Sequence, residues 1–76
     1  MDAKIFIKEL QKAVRKFERE AQEYGNIVEA TDFDTANGIL YLSCTVEDSN
    51  GDCFACSQEF EIDENSICPL WFHCSC

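Results

Sequence analysis

The chain has 76 residues, 46% of them hydrophobic, with 15 acidic and 6 basic side chains and a formal net charge of −9. That length makes a single domain, 1–76, with a small core, and the apolar fraction is that of a globular protein rather than a disordered one. The acidity argues against nucleic acid or an anionic membrane as a direct partner, since both need clustered Lys and Arg, and no apolar run approaches the roughly 20 residues that cross a bilayer.

The opening MDAKIFIKEL is charged throughout and lacks the uninterrupted apolar stretch of a secretory signal, so a cytoplasmic location is expected. Residues 2–24 are predicted as one amphipathic helix. Phe6, Leu10, Ala13, Phe17, Ala21 and Tyr24 recur at spacings of three and four and form an apolar stripe. Asp2 suits the positive end of that helix, and Gly25-Asn26 marks its stop. Lys4, Lys8, Lys12, Arg15 and Arg19 follow another face, with Glu9, Glu18, Glu20 and Glu23 among them. The ordinary reading of that face is a solvated surface with pairs four residues apart. The sharper reading is a contact with an acidic partner, such as the sheet of a second copy, so self-association is an expectation too.

After the helix the chain changes character. From Gly25 to Cys76 there are ten acidic residues, all six cysteines, and no Lys or Arg. Residues 27–33 are the first predicted strand, and Asp34-Thr35-Ala36-Asn37-Gly38 the turn that follows. Residues 39–48 carry the clearest strand pattern. Leu40, Leu42, Cys44 and Val46 alternate there with Tyr41, Ser43, Thr45 and Glu47. Ser49-Asn50-Gly51 then turns the chain into a third strand over 52–63.

The register of that last hairpin follows from its side chains. A two-residue Asn-Gly loop would set Leu40 on one face with Glu61, and Leu42 with Glu59. A three-residue loop, with Gly51 in the left-handed position of a bulge, sets Leu40 opposite Phe60, Cys44 opposite Cys56 and Val46 opposite Phe54. Only the second gathers the apolar side chains, so it is the predicted register. The tail, 67–76, is too apolar for a free end and is expected to pack as an edge strand or short cap. The fold class is therefore α+β: one N-terminal amphipathic helix on a three- to four-stranded antiparallel β-meander.

Six cysteines in a reducing compartment suggest thiols or metal rather than a disulfide scaffold. A tetrahedral zinc site would draw on Cys53 and Cys56 together with Cys68 and Cys74, or with His73 and Cys76 from the same tail. Alternation opposes it, because Cys53 and Cys56 are an odd number apart and point to opposite faces of a regular strand. No cofactor is required by any motif; zinc is one alternative, and calcium at Asp48-Ser49-Asn50-Gly51-Asp52 a weaker one, for want of the 12-residue loop and its terminal glutamate. Catalysis has little support, for His73 and Cys74 are chain neighbours and no nucleophile elbow, phosphate loop or metalloprotease motif is present. The chain is expected not to be an enzyme.

The carboxylates are more informative. Glu47, Asp48 and Asp52 surround the Asn50-Gly51 turn, while Glu59 and Glu61 alternate with Phe60 and Ile62. If the helix covers the apolar face, Glu47, Glu59, Glu61 and Tyr41 project from the other. Glu47, Asp48, Asp52, Glu59, Glu61 and Tyr41 are thus the predicted partner-binding residues. Spaced carboxylates on a rigid sheet match a groove built for phosphates and associate quickly through steering.

The function expected from these residues is that of a small acidic cytosolic interaction protein. It would bind a basic, nucleic-acid-binding protein surface and inhibit or mask it, a device that suits a phage or mobile element. One alternative is a zinc-stabilised binding module. A second is a thiol or redox protein, which the acidic surroundings disfavour by raising thiol pKa values.

Overall fold

A computed structural model describes residues 1–75. It contains one helix, α1 (Ala3–Ala21), and five strands: β1 (Asn26–Ile27), β2 (Asp32–Ala36), β3 (Ile39–Glu47), β4 (Cys53–Ile62) and β5 (Ile67–Cys74). The class is α+β, with the helix packed on one face of an antiparallel sheet.

α1 starts where the Asp2 carboxylate caps it, accepting the Lys4 amide at 2.7 Å and the Ile5 amide at 3.2 Å. It ends three residues before the predicted boundary. Glu23 and Tyr24 leave the helix in a turn, their amides donating to the Glu20 and Ala21 carbonyls. This release lets the Tyr24 ring stack on Phe72 at 5.9 Å and meet Phe54 edge-on at 6.4 Å. Gly25 then passes so close to the Glu47 backbone that a Cβ would overlap the Glu47 carbonyl.

Five strands are present rather than three or four, but the sheet is four strands wide. β1 and β2 both pair with β3 along the edge opposite β4, and β4 pairs onward with β5. The predicted first strand, 27–33, is therefore broken. Ile27 faces Val46 whereas Asp32 faces Ser43, so the edge strand holds two more residues than β3 across the break. The predicted turn over 34–38 is also corrected. β2 continues to Ala36, and only Asn37 and Gly38 turn the chain, at φ 54° and 77°. Positive φ at both positions is the two-residue hairpin loop whose twist matches the strands.

The β3–β4 hairpin has the predicted register, with Leu40 opposite Phe60, Cys44 opposite Cys56 and Val46 opposite Phe54. Its loop is Ser49-Asn50-Gly51, closed by the Asp48 amide donating to the Asp52 carbonyl at 2.9 Å, with Gly51 at φ 84°. The tail forms β5 as an edge strand. Between the pairs Gln58–Phe72 and Phe60–Pro69, one residue of β4, Glu59, faces two of β5, Leu70 and Trp71. The extra residue is a β-bulge.

Strand alternation sorts the sheet into two faces. Leu40, Leu42, Cys44, Val46, Cys56 and Phe60 are buried beneath Ala13, Phe17 and Ala21 of α1. Those three helix residues are four apart, a single line down the helix. Phe72 completes the contact from β5, with its ring 5.9 Å from Phe17. Six wholly buried side chains, Phe17, Phe60, Leu40, Leu42, Val46 and Cys56, make up the heart of the core. At roughly 1.5–3 kcal/mol for each large apolar side chain, their burial is the main force joining helix to sheet.

Candidate functional site: the open face of the sheet

Among the described residues no second layer covers the other face. Tyr41, Ser43 and Glu47 of β3, and Cys53, Ala55, Ser57 and Glu61 of β4, are exposed there, while Thr45 and Glu59 are half-buried. The register lays them in rows. Asp34, Tyr41 and Glu59 stand on adjacent strands and reach the bulge at Leu70-Trp71. The next row runs Asp32, Ser43, Ser57, His73. Trp71 is 70% exposed and Tyr41 40%, both unusual for large aromatics in regular strands. Together with Ser43, Ser57, Glu59 and His73 they line a shallow depression of about 190 Å³.

The six predicted partner-binding residues fall into two groups. Tyr41, Glu47, Glu59 and Glu61 lie on this face, with Tyr41 directly opposite Glu59. Asp48 and Asp52 sit at the hairpin end. The Asp48 carboxylate accepts the amides of Asn50 at 2.9 Å and Asp52 at 3.0 Å, so it is engaged in shaping the turn. Asp32, Asp34, Trp71 and His73 also belong to the face and lie outside the predicted set. Asp32 and Asp34 escape sequence reasoning because the break in the first strand hides their register. Trp71 and His73 share parity in the tail, a signal that becomes readable once 67–74 is taken as a strand.

No Lys or Arg of the chain follows Arg19, so all six are confined to α1. Among the described residues the two ion pairs, Lys12–Glu9 at 3.1 Å and Lys16–Glu20 at 2.6 Å, both lie within that helix. The carboxylates of the open face are thus not neutralised from within the molecule. Lys12, Arg15, Lys16 and Arg19 line a cleft on the outer side of the helix.

The four cysteines considered for zinc do not converge. Cys53 and Cys68 are exposed on the open face, opposite Glu47 and Glu61 respectively. Eight residues of β4 separate those two positions, roughly 27 Å of strand. Cys56 is buried and Cys74 half-buried on the helix face, as parity requires. Cys76 lies outside the described residues. Cys44, Cys56 and Cys74 do stand in one row across β3, β4 and β5. Neighbours in such a row are about 5 Å apart at Cα along a line, whereas zinc needs four ligands around one point. Among the described residues no three His, Cys, Asp or Glu side chains form a metal-binding group.

Two of the thiols, Cys44 and Cys53, are shifted away from reactivity. Burial, and then the charges of Glu18 and Cys74, push the Cys44 thiol above its ordinary range. Cys53 is pushed up as well, by desolvation on the strand and by Glu47, whose Oε2 accepts its Sγ–H at 3.9 Å. A nucleophilic or redox cysteine needs the opposite shift. What the open face offers chemically is an aromatic and anionic surface. Compared with protein-family models, curated proteins and solved structures, the chain matches none.

Proposed function

We propose that the protein is a small acidic interaction module that binds a basic protein surface, of the kind that contacts nucleic acid, and masks it. One observation carries this reading: the uncovered sheet face bears Asp32, Asp34, Glu47, Glu59 and Glu61 around Tyr41 and Trp71, with every Lys and Arg on the other side of the sheet. A phosphate-binding groove presents spaced cations, and carboxylates at strand spacing complement them while steering the encounter. Aromatics at the centre of a charged patch supply contact area that carboxylates alone lack. The action is binding in the cytoplasm, without chemistry on the partner.

The test is capture from the source cell at low and high salt, with the retained proteins identified. The expected result is a basic, salt-sensitive partner that is retained by the wild type and lost with Glu47, Glu59 and Glu61 all replaced by lysine. All three side chains stand on the open face, so the variant should unfold at close to the wild-type temperature. Undiminished capture by the triple variant would end the proposal.

A further inference from the structure

We infer that the depression between Tyr41 and Trp71 is a seat for one arginine side chain of the basic partner, with Glu59 as its counter-charge. The inference rests on the interaction reading above and adds the chemistry of its central contact.

The bulge makes the seat. In a regular β5 a single side chain would stand opposite Glu59; the extra residue sets Leu70 and Trp71 there instead. Trp71 holds an indole that is 70% exposed, next to a carboxylate rather than buried in an apolar setting. Across Glu59, on the neighbouring strand, stands Tyr41. A carboxylate flanked by two aromatic side chains offers both things a guanidinium uses. Its flat face stacks on an indole or phenol ring, and its edge donates two parallel hydrogen bonds to a carboxylate. An ammonium group has no flat face to stack and is more strongly hydrated, so lysine gains less here.

Charge narrows the occupant further. Asp34 neighbours Tyr41 and Asp32 neighbours Ser43 on the edge strand, which adds two anions on the side of the depression away from Trp71 and His73. An anionic ligand is repelled, and a neutral one leaves the carboxylates without compensation. Ser43 and Ser57 line the floor and can accept further guanidinium hydrogen bonds.

The test uses the full chain and three peptides of alternating glycine with arginine, lysine or citrulline, in about 150 mM salt to screen diffuse attraction. Trp71 is the only tryptophan, so its emission reports occupancy, and calorimetry serves the variants that lack it. The arginine peptide is expected to bind saturably and change Trp71 emission, the lysine peptide to bind about fivefold more weakly, and the citrulline peptide not to bind. Trp71→Ala should lower affinity for the arginine peptide by about tenfold, while Trp71→Phe stays within about threefold and Glu59→Gln loses about fivefold. Circular dichroism of each variant separates these losses from unfolding. Equal affinity for arginine and lysine, full affinity in Trp71→Ala, or binding of citrulline would overturn the seat and leave the acidic-surface reading standing. Failure to retain any basic partner in the capture experiment would instead remove the reading beneath it. Sedimentation showing Trp71-dependent self-association would replace the partner with the basic helix of a second copy.

Discussion

The Thr31 hydroxyl donates to the Glu18 carboxylate at 2.6 Å, joining the helix to the point where the edge strand breaks. The residues 28–31 leave the ladder after the Val28 amide has bonded to the Thr45 carbonyl at 3.0 Å, and pairing resumes at Asp32. The break is therefore held by a side chain thirteen residues earlier in the chain. Thr31→Val keeps the shape and deletes the donor. It should cost about 1 kcal/mol in urea unfolding and speed amide exchange in 28–31 more than elsewhere.

Two glycines should respond differently to alanine. At Gly25 a Cβ would overlap the Glu47 carbonyl oxygen and come within 2.8 Å of its carbon. The backbone must then move, at roughly 1–3 kcal/mol. At Gly51 a Cβ would meet nothing within 4 Å, but the residue sits at φ 84°. Alanine there should cost only the conformational term, about 1 kcal/mol. Thermal unfolding of the two variants checks the order; a larger loss at Gly51 would contradict the close approach.

Gln58 is a polar residue in an apolar row. It lies between Leu42 and Phe72 on the helix face, 3% exposed, and its Oε1 accepts no hydrogen bond. An orphaned buried acceptor costs about 1–3 kcal/mol. Gln58→Met, similar in volume, should raise the unfolding free energy by about 1 kcal/mol. A destabilised Gln58→Met would mean that the amide makes a compensating contact.

The raised Cys44 thiol gives a pH dependence of known sign. Its folded pKa lies above the unfolded one, so its contribution is fully present at pH values below the ordinary thiol value of about 8.5. As pH climbs past that value, the unfolded chain loses the proton first and stability falls, until the folded thiol also ionises. Unfolding free energy measured from about pH 7 to about pH 10 should decline less steeply in Cys44→Ala than in the wild type. Equal slopes would show that the thiol is not held protonated by the fold.

The hairpin register is legible in the sequence because only one pairing puts Leu40, Cys44 and Val46 against apolar partners, and side chains on a half-buried face leave little choice. The same parity parts Cys53 from Cys56. The tail reads as a packed edge from its apolar composition. The broken first strand is not legible, because the contact found at the break, Glu18–Thr31, joins residues thirteen apart in the chain. The Asn37-Gly38 turn is legible but its length is not, because Asp34 to Ala36 are loop-like in composition yet pair along β3. The bulge at Leu70-Trp71 leaves no local trace either. Tyr41 and the carboxylates of the open face are legible from strand alternation, whereas the placing of Trp71 beside Glu59 depends on the bulge.

Both margins of the sheet end in irregularity: the shifted break between β1 and β2 on one side, and the bulge with Pro69 on the other. A new strand laid along either margin would meet an interrupted row of donors and acceptors, and at Pro69 a missing amide. Such interruptions disfavour templated growth along both margins of the sheet. Edge-to-edge pairing of copies through the backbone is disfavoured with it.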